Sequence, residues 1–270
     1  MAEPAFRSDL YRGTARYYDR YRLPYPQALI HDLAGRAEAD GAGRLLDLAC
    51  GTGQLTFALR HHFAEVWAVD QEPEMAGLVR EKAVRDGIPG IRPVVSAAEN
   101  LAAPDDSFDL VTIGNAFHRL PRGPVAASVI RWLRPGRYLA LAWGDSPWDG
   151  EAPWQQAMSA AMRRWRARAA DRDRIPAGYG QARRECPDLV VLRRAGFETV
   201  GRYEFTVPHV WTTGELAGFL LSTSVLSRAA LCGAAAEFAA DLGRELQAAE
   251  PSGRFRQTLS FAYDLARRPP

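Results

Sequence analysis

Two acids, each set in a short apolar run that ends in a turn, are the residues of this chain best suited to hold a ligand. Asp47 lies in LLDLACGTGQLT (45–56), where a β-rich run passes through Gly51-Thr52-Gly53 into a helical pattern. Asp70 closes a second run, EVWAVD (65–70). Glycines at a strand-to-helix turn let the backbone approach a ligand closely. A P-loop would end in Gly-Lys-Ser/Thr, which ACGTGQLT lacks. A dinucleotide site wants a third small residue, but Thr56 stands there, and that reading leaves Asp47 unexplained. A carboxylate at the mouth of the first strand repels phosphate and suits a cation or an ammonium group. An acid ending the second strand can accept both hydroxyls of a ribose. The pocket therefore asks for a ribose, a positive charge and close backbone approach, and S-adenosyl-methionine has all three.

The elements that must position these acids follow from periodicity. Short β-rich runs at 44–49, 65–70, 91–95, 108–114 and 137–143 alternate with helical patterns at about 53–62, 73–86 and PVAASVIRWLRPG, where Pro135-Gly136 is expected to stop the helix. Near-continuously apolar strands alternating with helices argue for a parallel sheet covered on both faces. Strand signals return at 197–211 and 255–266, separated by helical patterns at about 213–222 and 226–248, and fit an antiparallel addition to the far edge. Residues 144–185, rich in Trp, Pro, Gly and Arg with one amphipathic stretch, are expected to form a cap or lid with residues 1–35. Trp143, Trp148, Trp154 and Trp165 could line that lid, or simply a core.

The 270 residues suffice for one large domain, and 47% hydrophobic with 24% charged content is ordinary for a globular protein. A net charge of +2 gives no general argument for nucleic acid or membrane. Of the 34 basic residues all but Lys82 are arginine, a bias that fits a GC-rich genome. Arg163, Arg164, Arg166 and Arg168 spread over more than one helix face and read as solvated surface. Cys50, Cys186 and Cys232 have no metal-type spacing, the N-terminus lacks a secretory apolar core, and no apolar run approaches membrane-spanning length. A reducing cytoplasm is the expected compartment.

The chain resembles the class I S-adenosyl-methionine-dependent methyltransferases, in particular their bacterial small-molecule branch, over nearly its whole length. The resemblance is carried by YYDRYRLPYP (17–26), LLDLACGTG, VDQEPEM (69–75), SAAENL (96–101) and DDSFDLVTIGNAFH (105–118), in that family's order and spacing. It implies a Rossmann-like α/β fold, a mostly parallel seven-stranded sheet of order 3-2-1-4-5-7-6. By resemblance, Gly51 and Gly53 pass the backbone along the methionyl part of the cofactor, and Asp47 holds its amino group. Asp70 takes the ribose hydroxyls, Gln71 and Met75 line the ribose or adenine, and Ala98 and Glu99 meet the adenine edge. Asn115 lies beside the sulfonium, and Tyr18 and Arg22 close over the carboxylate. Ala49 replaces a glycine common in relatives, which is expected to narrow the loop without straining it. Arg119 replaces an aromatic residue after His118, which questions any inherited acceptor pocket.

The resemblance implies methyl transfer to a small molecule, oxygen favoured over nitrogen or carbon; composition suggests specialised-metabolite biosynthesis as the setting, and a monomer or homodimer is the expected state. His118, just past the fourth strand, is the best-placed candidate base, with a structural histidine as the plainer alternative. A turn-capping role is the lesser alternative for Asp47, and Cys50 reads as a small apolar filler. Rival readings are a cofactor binder that catalyses cyclisation or elimination without methylating, and a nucleotide-dependent oxidoreductase. A nucleic-acid methyltransferase is disfavoured because GNAFHRL, not an Asn/Asp-Pro-Pro-Tyr sequence, follows the fourth strand, and no basic domain is appended.

Overall fold

The computed structural model describes residues 6–169, 176 and 179–270. Residues 1–5 of the expected N-terminal cap, and 170–175 and 177–178 of the expected insertion, lie outside the described residues. The strands β1 (Arg44–Leu48), β2 (Glu65–Asp70), β3 (Ile91–Val95), β4 (Phe108–Gly114), β5 (Leu133–Gly144), β6 (Glu198–Thr212) and β7 (Arg254–Arg267) join in one sheet of order β3-β2-β1-β4-β5-β7-β6. The first five run parallel, and β7 is antiparallel between β5 and β6. This is the Rossmann-like order expected from the sequence.

Alternation along each strand sends side chains to opposite faces. Leu45, Val66, Leu110 and Ala140 enter the core on one face, while Leu46, Trp67, Val111 and Leu139 enter the core on the other. Helices cover both, which is why the central strands are apolar almost throughout. The helices are α1 (Ala15–Tyr21), α2 (Gln27–Arg36), α3 (Gln54–Leu59), α4 (Pro73–Arg85), α5 (Arg122–Trp132), α6 (Pro153–Arg168), α7 (Tyr179–Glu185), α8 (Asp188–Arg194), α9 (Thr213–Leu221) and α10 (Ala235–Ala249). Apolar residues of α2, α6, α9 and α10 fill the first face, and those of α5 and α8 the second.

Three local expectations change. The helix expected from about 226 begins at Ala235, because Cys232 (φ 46°) and Gly233 (φ 93°) adopt left-handed backbone that a right-handed helix cannot contain. Thr223 and Ser227 side chains instead accept from Leu226 N and Ala230 N, folding the segment into tight turns. Strand β5 starts at Leu133, so Pro135-Gly136 lie within it rather than ending α5. Within the expected insertion, α6 packs into the body: Trp154 and Trp165 are buried against Phe255 of β7 and Phe238 of α10, and Trp165 Nε1 donates to Asp241 at 2.8 Å. Arg164 on the outer side of α6 pairs with Asp241 and Glu245, as a solvated face would.

Candidate active site

Register makes the first contact of the site. Asp47 of β1 and Thr112 of β4 are partners across neighbouring parallel strands, and Thr112 Oγ1 donates to Asp47 Oδ1 at 2.9 Å. Thr56 of α3 donates twice to Oδ2, from its N–H at 2.9 Å and its hydroxyl at 2.6 Å. Thr56 thus occupies the position where a dinucleotide site would want a small residue, and uses it to tie the helix to the strand. Asp47 is only 1% exposed, and burial pushes its carboxyl up to about 6 despite those bonds. No basic side chain pairs with it among the described residues.

The glycine turn is left-handed at three positions: Ala49 (φ 55°), Gly51 (φ 56°) and Gly53 (φ 86°). Ala49 therefore does not sit in unstrained backbone as its size had suggested; its Cβ costs on the order of 1 kcal/mol there. Gly51 N donates to Asp70 Oδ2 at 2.8 Å and Glu72 N donates to Oδ1 at 2.9 Å, so Asp70 ties the turn to the start of α4. A Cβ on Gly51 would stand 3.4 Å from the Tyr18 ring, narrowing the cradle. Gly53 has a different task. It is buried beneath the turn, where a Cβ would meet Phe57 at 2.8 Å and Val79 at 3.2 Å; its bareness serves helix packing and not ligand approach.

Above this frame lie two adjoining cavities of about 280 and 290 Å³. The first is lined by Gly51, Asp70, Gln71, Met75, Ala98 and Glu99, with Glu72 and Ser96. The second takes Arg22, Asp47, His118 and Gln54 together with Tyr25, Trp148, Phe219 and Phe261. Tyr11, Tyr18, Ala49, Gly114, Asn115 and Arg119 line both. Asn115 (φ 50°) is held at this shared wall by its N–H to Ala142 O at 2.8 Å. All the expected site residues except Gly53 line one cavity or the other, with Asp47, Arg22 and His118 reaching only the second.

Electrostatics separates the candidates. Burial raises the carboxyls of Asp70 and Glu72, and raises the Cys50 thiol, which is free, buried and unsuited to attack as a thiolate. His118 is pushed down to about 4 by burial first and by the Arg183 charge second. Its Nε2 accepts from Arg119 Nε at 3.1 Å, so the nitrogen a base would use is already engaged. Arg119 Nη1 also donates to Tyr11 Oη and, at 3.4 Å, to Ser224 Oγ. One guanidinium thereby joins the N-terminal segment, the exit of β4 and the turns after α9. Arg22 donates from Nε to Ser222 Oγ at 2.9 Å and lies between the rings of Tyr18 (4.7 Å) and Phe219 (4.4 Å).

Sequence reasoning did not find Tyr11, Glu72, Phe219, Phe261 or Thr223 among the lining residues. Glu72 follows the second-strand acid closely and carried a readable signal. Phe219 and Phe261 carried none, since only the placement of β7 beside β5 and of α9 beside α1 brings them to the cavity.

The residues present fit S-adenosyl-methionine. Gly51 leaves a cradle that a Cβ would narrow, Asp70 keeps acceptor capacity beyond its two backbone bonds, and Asp47 is a buried carboxylate that no cation pairs with among the described residues. Residues 45–136 match the family described as a methyltransferase domain. An uncharacterized methyltransferase of Mycobacterium tuberculosis is 31% identical over 167 residues, 62% of this chain and 64% of the relative. Trans-aconitate 2-methyltransferase of Mycobacterium sp. (strain KMS) is 33% identical over 132 residues, 47% of each chain. The chain thus spans less than two thirds of the length of either relative. A candidate type II methyltransferase from Anaeromyxobacter dehalogenans shares the fold, with a TM-score of 0.64 at 21% identity over 93% of this chain and 99% of that one. Residues 45–136 thus carry the match to a methyltransferase domain, and the whole sheet has the Rossmann-like order of a methyltransferase fold.

Proposed function

We propose that this protein transfers a methyl group from S-adenosyl-methionine to a small-molecule acceptor, oxygen favoured, as a single domain acting as a monomer or homodimer in the cytoplasm. One observation carries the reading: two cavities meet at a wall shared by Ala49, Gly114 and Asn115, next to a buried carboxylate that no cation pairs with among the described residues. When bound, the cofactor supplies a methyl carbon activated by its sulfonium charge. In this proposal Asp70 accepts the ribose hydroxyls. Gln71, Met75, Ala98 and Glu99 enclose the nucleoside, with Gly51 and Ala49 lending close backbone. Asp47 draws the positive amino group, Tyr18 covers the methionyl end, and Asn115 flanks the reacting carbon. Gly53 supports this set from beneath. Arg22, which lines the same cavity as Asp47, faces the carboxylate borne by the same carbon as that amino group.

The chain's remaining contribution is alignment and exclusion of water, which together are worth up to roughly 7–11 kcal/mol in well-oriented reactions. Tyr11, Tyr18 and Arg119 stand between the cavities, so the acceptor has to come in line from the second. His118, neutral and with Nε2 engaged, is assigned to hold Arg119 in place. An acceptor oxygen that ionises unaided suits such a site better than one that needs a base. Specialised metabolism remains part of the proposal on composition alone. The similarity to trans-aconitate 2-methyltransferase supports a small-molecule acceptor.

The test is incubation with methyl-labelled S-adenosyl-methionine and a panel of phenols, carboxylic acids, amines and acidic carbon compounds. Label on the acceptor with equimolar S-adenosyl-homocysteine is expected. Label retained on the cofactor while the acceptor changes would favour the non-methylating alternative.

A further inference from the structure

We infer that Arg119 is a positioning residue that latches the N-terminal segment over the first cavity through Tyr11, and so sets how slowly the cofactor product leaves. The inference rests on the assignment of that cavity to the cofactor. Phe6, Arg7, Leu10 and Tyr11 line one side of the cavity, yet residues 8–13 fold as turns, without the regular ladder of bonds that a helix or strand would give them. Part of their anchorage is to α4: Gly13 N donates to Glu74 Oε2 at 3.1 Å, and Tyr11 packs beside Ala15, Met75 and Leu78. The Arg119 guanidinium adds a grip from another part of the fold. Its Nη1 donates to the Tyr11 phenol, and the guanidinium carbon lies 5.0 Å from the centre of that ring.

The other end of this tie is fixed to the body. Arg119 closes the short helical turn Phe117–Arg119 after β4, where Nε donates to His118 Nε2 at 3.1 Å and Nη1 reaches Ser224 Oγ at 3.4 Å. Phe117 is 3% exposed and Ser224 only 1%, so neither support can follow the N-terminal segment when it lifts. Leu120 and Pro121, next along the chain, line the first cavity as well, which puts the latch at its rim. The resemblance expects an aromatic residue at position 119, and a ring there could pack on Tyr11 but would lack the charge-assisted bond that the guanidinium makes. That bond must break each time the segment lifts. Release of product from beneath such a cover limits turnover in many enzymes.

Surface plasmon resonance on the full chain reads association and release of S-adenosyl-homocysteine separately. Tyr11→Phe keeps the ring and removes the hydroxyl, while Arg119→Met keeps the length and removes the charge. Each is expected to speed release about tenfold or more, with association within about threefold of wild type. In the double variant, release should be no more than about twofold faster than in the faster single variant, because both changes remove one bond. Arg119→Lys should restore part of the slow release. A purely structural Arg119 would leave release from Tyr11→Phe unchanged, and that result overturns the inference, as do fully additive effects in the double variant. Should Arg119→Met fail to fold, Tyr11→Phe alone decides. Wild-type protein that binds no S-adenosyl-homocysteine would defeat the cofactor assignment and the latch together, whereas normal binding with unaltered release from Tyr11→Phe defeats the latch alone.

Discussion

The first cavity draws Gly51, Asp70, Met75, Ala98 and Asn115 from successive strand-to-helix turns, all between residues 49 and 121 apart from its N-terminal cover. The second draws Arg22, Tyr25, Trp148, Phe219 and Phe261 from segments scattered over most of the chain. Sheet register and backbone bonds hold the frame of the first: Asp47 to Thr112 across two strands, Asp70 to Gly51 and Glu72 across two turns. Ring contacts between distant elements hold the second. A frame made by register cannot change without moving the sheet. Walls made by ring contacts can be repacked one residue at a time, which suits a common cofactor facing variable acceptors.

The sharpest break of this comparison is Asp70→Ala. It removes both backbone bonds that tie the turn to α4, along with the proposed ribose contact. S-adenosyl-homocysteine affinity should fall by about 2–4 kcal/mol, read by calorimetric titration. An unchanged affinity would mean that the nucleoside lies elsewhere. Next in size is Gly53→Ala. The added Cβ meets Phe57 and Val79 in left-handed backbone, and the loss should be about 2–3 kcal/mol of unfolding free energy in a denaturant melt. Trp148→Ala, in the second cavity, should leave cofactor affinity within about threefold while impairing acceptor turnover. Equal damage to both would erase the distinction between the cavities.

Asp47→Asn probes the boundary between them. The folded carboxyl titrates at about 6 against an ordinary 3.8, so the folded state takes up a proton that the unfolded state does not hold between those values. By the sign of that linkage, the ligand-free protein loses stability as pH rises from about 4 to about 6, by roughly 3 kcal/mol from this group. Asparagine can keep the contacts, accepting from Thr56 and donating to a reversed Thr112 hydroxyl, so the variant should fold and lack this pH dependence. Cofactor binding runs the other way, because the ionised form attracts the amino group. Affinity should be flat above pH 7 and decline below about 6, by at most tenfold per unit, while the variant stays about tenfold weak throughout. Parallel pH profiles for wild type and variant would remove Asp47 from the site.

How much of this was legible in the sequence follows from the same contrast. Asp47, Gly51, Asp70 and Asn115 sit at fixed distances from strand ends, and a strand end locates its residue at the sheet edge before any tertiary contact is known. The strands came through because apolar runs over 44–49 and 108–114 must be buried between covered faces, while the order of the sheet came from the family resemblance and not from periodicity. Phe219 and Phe261 were silent because an aromatic in an apolar helix or strand is ordinary core until topology brings it to a cavity. The start of α10 was misread because a left-handed pair, Cys232-Gly233, interrupts an otherwise helical pattern, and cysteine gives no warning of it. His118 was legible in position only. Its bond to Arg119 and its low basicity come from neighbours that converge in space. His118→Ala should therefore lower turnover by no more than about fivefold; a fall of a hundredfold or more, with cofactor binding intact, would restore it as a base.

The smallest expected effect is at the shared wall, where two residues other than glycine hold left-handed backbone. Asn115 is a residue type that tolerates this conformation, and Ala49 is not, so whatever strain the wall stores sits in the glycine turn. Ala49→Gly removes a Cβ clash of about 1–2 kcal/mol and adds about 0.5–1 kcal/mol of unfolded-state entropy, leaving a net gain of at most about 1 kcal/mol. Because Asp70 already fixes the turn through Gly51 N, relief of that strain should not loosen it, and S-adenosyl-homocysteine affinity should stay within about threefold. Chemical denaturation beside titration reads both quantities. A gain in stability accompanied by a tenfold loss of affinity would show that Ala49 holds the turn in its binding geometry, and the rigidity of the first cavity would then owe as much to one strained alanine as to the register of β1 and β4.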